Sequence, residues 1–139
     1  MSISSSSSNI SKSSSSIEVY QGESKDLEVE IVQEVDDVDG NPQEEPVNLT
    51  GAKVCFTVRK AVRDPEVKIA KDSLNVLDIE ILSPATSGFA MIYLTSDDTI
   101  FMDPGKYVFD VWVVLSSGKK VPVIEVSDFI VKEPVTKGC

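Results

Sequence analysis

Between Lys53 and Arg59 the chain alternates without a break. Val54, Phe56 and Val58 are apolar, and Lys53, Cys55, Thr57 and Arg59 stand between them. A repeat of two belongs to an extended strand, whose successive side chains point to opposite faces. The same repeat returns in Leu27, Val29 and Ile31 against Glu28 and Glu30, and in Leu77, Ile79 and Ile81 against Asp78 and Glu80. It is longest in Tyr107, Phe109, Val111, Val113 and Leu115, with Val108, Asp110, Trp112 and Val114 opposite. No comparable stretch shows the helical period. Strands buried on one face must cover that face with one another, which leaves a sandwich or a barrel.

Turn signals divide the chain at regular intervals. Gln21-Gly22-Glu23-Ser24 separates Ile17–Tyr20 from the strand that holds Leu27 to Ile31. Glu34 to Asn48 is acidic and rich in turn formers, and Asp39-Gly40 predicts a hairpin turn because glycine tolerates positive φ. Ala61 to Pro65 and Ser83 to Gly88 read as loops, and Val67–Lys71 as a short strand. Phe89 to Leu94 is apolar on both faces, which suits a central strand. Thr95 or Ser96 caps one helical turn, Asp103-Pro104-Gly105 is a tight turn, and Ser116 to Lys119 is a hairpin turn before a last long strand, Val121 to Val131. The expected fold is all-β, an immunoglobulin-like sandwich of about seven to nine antiparallel strands over residues 17–133. A small barrel is the alternative. Residues 134–139 form a short exit tail. The cysteine-tryptophan-cysteine pattern of antibody domains is absent, so the likeness to them is architectural.

Residues 1–16 are nearly all serine, a composition that cannot bury enough apolar surface to offset its ordering entropy. Alone the segment is expected to be a flexible arm. Ile3, Ile10 and Ile17 are the anchors by which a neighbouring subunit could hold it.

The formal charge is −10 and histidine is absent. No basic footprint for nucleic acid exists, and an anionic membrane surface would repel the chain. The first residues lack the basic and apolar regions of a signal peptide, and the longest apolar run, Phe89 to Leu94, is far short of a membrane span. Cys55 and Cys139 stand far apart with no metal-ligand spacing around them, a usage that suits a reducing cytoplasm.

Chemistry is hard to place on this chain. Without histidine the commonest general base and metal ligand is gone. No nucleophile elbow, phosphate loop or dinucleotide fingerprint occurs. Asp37 to Asn41 resembles a calcium loop only superficially, because aligning Gly40 at position six puts Val35 at position one and Pro46 at position twelve. Glu28, Glu30, Asp78 and Glu80 lie at period two on presumed solvent faces, where they read as solvated charges that discourage stray strand pairing. No catalytic, cofactor-binding or metal-ligating residue is expected. Asp110 shares its face with Trp112 and needs a partner, for which Arg59 or a backbone amide would serve. Trp112 is either outer-face packing or an interface anchor, since tryptophan is enriched at interface hot spots.

Several short motifs occur in a fixed order. They are Val19-Tyr20-Gln21-Gly22-Glu23-Ser24, Asp39-Gly40-Asn41-Pro42, Leu49-Thr50-Gly51-Ala52 running into Phe56-Thr57-Val58-Arg59, Leu94-Thr95-Ser96-Asp97-Asp98-Thr99, and Pro104-Gly105-Lys106-Tyr107-Val108-Phe109-Asp110. The set resembles the immunoglobulin-like domain of tailed-phage virion proteins, notably the N-terminal domain of baseplate upper proteins. The resemblance implies that these motifs determine the fold and that no catalytic residue is present. It also implies a structural role inside a virion assembled in the host cytoplasm. The partners would be other virion structural proteins and further copies of the chain, with no nucleic acid, no membrane and no cofactor. The serine-rich arm is outside the family pattern, and no second domain follows residue 133, so the expectation is a small adaptor subunit. A tail, baseplate or fibre-adaptor position and a capsid-decorating position both fit. A carbohydrate- or receptor-binding module is the reading from another class.

Overall fold

The computed structural model describes residues 3–6, of which it gives the backbone, and residues 16–137. Among the described residues the strands are β1 (Ile3–Ser6), β2 (Ile17–Tyr20), β3 (Lys25–Asp36), β4 (Pro42–Pro46), β5 (Lys53–Arg59), β6 (Val67–Asp72), β7 (Ile79–Ile81), β8 (Phe89–Leu94), β9 (Gly105–Val114) and β10 (Lys120–Lys132). A helical turn, α1 (Ser96–Thr99), joins β8 to β9.

The strands form two sheets. The first runs β1-β3-β8-β7, with β4 paired to the far half of β3, and the second runs β2-β10-β9-β5-β6. With β3, β8 and β7 as strands B, E and D, the first sheet has the immunoglobulin order, and β5, β9 and β10 take the places of C, F and G opposite it. Strand β6 extends the second sheet as C′ does. The chain is an immunoglobulin-like β-sandwich.

Its core repeats that assignment in detail. Phe56, Phe109 and Phe129 meet between the sheets with ring centroids 5.7, 6.4 and 6.4 Å apart, filling the middle with tilted aromatic contacts. The Tyr107 hydroxyl donates to the Asp103 carbonyl at 2.7 Å. This is the tyrosine corner of the fold, and Phe109, two residues on, stands where antibody domains place a cysteine.

The order of the short motifs has a physical basis. The Gln21-Gly22 turn docks on the segment after β8, because Gly22 N–H donates to Thr99 Oγ1 at 2.9 Å and the Gln21 amide donates to the Met102 carbonyl at 2.8 Å. Thr95 N–H donates to Asp98 Oδ2 at 2.7 Å, closing the first turn of α1. Leu49 is buried, and its N–H donates to the Ala85 carbonyl at 2.9 Å. At Ile31 the long strand β3 changes partner from β8 to β4, and Gly88 sits in that junction. A Cβ on Gly88 would lie 2.6 Å from the Ile31 carbonyl oxygen, and its φ is +79°, so only glycine fits without displacement.

Nine strands lie within residues 17–133, as expected, and β1 adds a tenth among the described residues. Three expectations need correction. One pairing is parallel, β2 along β10. The alternation of Ile17 and Val19 could be read from the sequence, but the direction of the neighbour could not. Residues 42–46 are a strand and not part of the loop, although both ends are proline and every side chain is exposed. Such an edge strand carries no burial signal. Leu77 does not open the strand that holds Ile79. It lies in the preceding turn, its N–H donating to Asn75 Oδ1 at 3.0 Å, and its side chain is exposed.

Candidate interaction surface

The outward side of the second sheet is built by the residues that alternate with its core. On β9 these are Lys106, Val108, Asp110, Trp112 and Val114, and on β5 they are Lys53, Cys55, Thr57 and Arg59. Trp112 stands opposite Cys55 on one side and Pro122 on the other. It remains 39% exposed in the middle of a sheet. Its indole Nε1 donates to Asp110 Oδ2 at 3.1 Å. Asp110 is thus partnered by the neighbouring tryptophan. Arg59, one of the two partners expected, lines the same shallow depression, but its Nη1 donates to the Asp64 carbonyl at 2.8 Å. Val62 and Val126 complete the rim of that depression and are exposed. A bulged register between Ile124 and Ser127 of β10 pushes Val126 outward, a feature with no sequence signature.

The other expected anchors fall elsewhere. Ile17 is 1% exposed and belongs to the core of its own domain, so burial in this domain replaces the expected contact with a neighbour. Ile3 lies in β1, antiparallel to β3 opposite Gln33. Ile10 and Cys139 lie outside the described residues. Cys55 is a half-buried free thiol whose burial pushes its pKa up, favouring the protonated form.

Sequence reasoning missed two features at the end of the sandwich near α1. Phe101 is 92% exposed at the lip of an open cleft that Glu66, Lys68, Asp97, Asp98 and Asp103 also line. Beside it Lys71, whose side chain is 5% exposed, reaches Asp98 at 3.0 Å and Asp78 at 3.5 Å, tying the edge strand β6 to the turn after β8. An apolar residue in a loop and a lysine in an alternating strand look ordinary until the loops are brought together.

Basic charge is gathered on one side of the sandwich, while acidic residues occur on both sheets. Among the described residues, every lysine and arginine except Lys25 lies on the second sheet, in the loops between its strands or in the segment after β10. Lys25 itself turns toward the second sheet, donating to the Glu18 carbonyl at 3.2 Å. The strands of the first sheet carry Asp26, Glu28, Glu30, Asp36, Glu44, Glu45 and Glu80. Among the described residues no group of His, Cys, Asp and Glu side chains is arranged to hold a metal ion.

No family model matches this chain, and no curated protein matches it. Among solved structures it is similar to a marsupial T cell receptor, with 14% identity and a TM-score of 0.46 over 98% of this chain and 54% of the other. It is similar also to murine CRIg, with 13% identity and a TM-score of 0.40 over 95% of this chain and 99% of the other. The chain therefore spans about half the length of the T cell receptor chain. These likenesses concern fold. The strand order, the tyrosine corner and the aromatic centre carry the assignment.

Proposed function

We propose that this chain is a non-enzymatic structural subunit of a tailed-phage virion, in a tail, baseplate or fibre-adaptor position, and that it acts through protein–protein contacts. The observation that carries the reading is the outer face of the second sheet, where Trp112, Pro122 and Val126 stay exposed among charged neighbours. A large aromatic left in mid-sheet is the kind of side chain that anchors an interface. The reading draws also on the ordered motifs that resemble tailed-phage virion domains. A capsid-decorating position would use the same surface.

The test is mass spectrometry of purified particles, with heads and tails separated before digestion. Peptides of this chain in the tail fraction are expected. Peptides confined to heads would make it a decoration protein, and absence from both fractions would remove the virion reading. One observation favours a second class, a carbohydrate-binding module: Phe101 offers a bare aromatic platform beside the carboxylates of its cleft. A glycan-array signal abolished by Phe101→Ala would support that module, and a blank array would dismiss it.

A further inference from the structure

The strand register sorts the outward residues of the second sheet into rows. In one row Val114 of β9 stands between Lys53 of β5 and Lys120 of β10. The outer face of the first sheet has a row of the same form and the opposite charge, in which Met91 of β8 stands between Glu28 of β3 and Glu80 of β7. Val114 and Met91 are half-buried, leaving part of each apolar side chain open to contact. Neighbouring strands lie about 4.8 Å apart, so the flanking residues of either row are separated by about 10 Å. Among the described residues no ion pair reaches any of the four charges. Glu80 is held in place by the Tyr93 hydroxyl, which donates to its Oε1 at 2.7 Å.

We propose that these two rows dock on each other between copies of this chain, the Glu28–Met91–Glu80 row of one copy on the Lys53–Val114–Lys120 row of the next. The match of sign, order and spacing selects this arrangement over its alternatives. Second sheet against second sheet would set lysine against lysine, and first sheet against first sheet would set glutamate against glutamate, both of which cost free energy. Met91 and Val114 meet at the centre of the contact, and the Trp112–Pro122 row lies directly beside it. Because the two surfaces differ, each copy has one of each to offer, so the contact continues from copy to copy into a ring or an open filament. The inference deepens the structural-subunit reading by naming a second copy as partner. It is tested on the purified chain alone, so its failure leaves the location in the particle open.

The experiment is sedimentation velocity on the full chain over a concentration series, with the variants K53E/K120E and E28K/E80K. Circular dichroism and thermal melting check that both variants fold. The wild-type chain is expected to self-associate, and each pair of reversals to weaken association about tenfold or more. Mixing the two variants in equal amounts restores association, because the intact Glu row of one meets the intact Lys row of the other and the two reversed rows complement each other as well. The neutral pairs K53Q/K120Q and E28Q/E80Q also weaken association, and mixing them restores only the single contact between the intact Glu row of one variant and the intact Lys row of the other, so association stops at pairs of copies, whereas the mixture of reversal variants continues beyond pairs. A wild-type chain that stays monomeric throughout overturns the proposal. So does a reversal pair with no effect, or a mixture of the two reversal variants that associates no better than either alone.

Discussion

On β9, Tyr107, Phe109, Val111 and Val113 turn inward and are at most 3% exposed, whereas Trp112, set between two of them, keeps more than a third of its surface in water. The same strand thus serves two regions under different rules. Inside, each side chain is fixed by neighbours from both sheets, and a change of volume has nowhere to go. Outside, neighbours exist only within one sheet, and a side chain can be replaced with little strain. The difference separates what the protein needs in order to fold from what is left for partners. Four changes probe it.

The largest effect belongs to the aromatic centre. Phe109→Ala removes a ring that touches both Phe56 and Phe129 and leaves a cavity. It is expected to cost about 3–5 kcal/mol. Urea unfolding should show a lower midpoint at an unchanged slope. A loss below about 1 kcal/mol would mean that the interior is not packed as described.

Next is the rim, where a charge enters the interior. Lys71→Met keeps most of the volume and deletes the ammonium that Asp98 and Asp78 share. Both carboxylates stay partly solvated, so the expected loss is about 1–3 kcal/mol, less than for a fully buried pair. Adding Asp98→Asn should recover part of it, and a thermal-denaturation double-mutant cycle measures how much. Strict additivity would show that the two groups do not interact.

Trp112→Ala comes third for the domain itself, at under about 1 kcal/mol of stability, because the ring packs on one face only. Its effect on assembly should be larger, about 2 kcal/mol of binding if it anchors a partner. Measuring both on one preparation sharpens the contrast. A stability loss as large as that of Phe109→Ala would erase it.

The smallest effect lies at the tip of the β3–β4 hairpin. The Asp37 carboxylate accepts N–H bonds from Asn41 at 2.9 Å and Asp39 at 2.8 Å, and these hold its pKa below the usual range. With a folded value below the unfolded one, its contribution is complete above the ordinary aspartate pKa of about 3.9 and fades as pH falls through the folded value. A carboxyl resonance followed by NMR should titrate below that value. Asp37→Asn should flatten the acid limb of the stability curve, and an unchanged limb would count against these bonds.

The residues by themselves determined the class of fold, because alternation dictates which face of each strand is buried and glycine and proline dictate where strands end. Leu27 to Ile31, Val54 to Val58 and Tyr107 to Val113 are all in the core on the expected side. The turns at Gly40 and Gly118 are where their glycines require them, both at positive φ. Trp112 was legible as an outer-face residue for the same reason. Only the tertiary structure decided which strands are neighbours. Pairing is made by backbone groups that every residue shares, so nothing in Ile17–Tyr20 says that it runs parallel to β10, and nothing in Pro42–Pro46 says that it pairs at all. The candidate surface has the same origin. Lys53 and Lys120 flank Val114, and Glu28 and Glu80 flank Met91, because register sets on either side of one strand two residues that lie more than fifty positions apart in the chain.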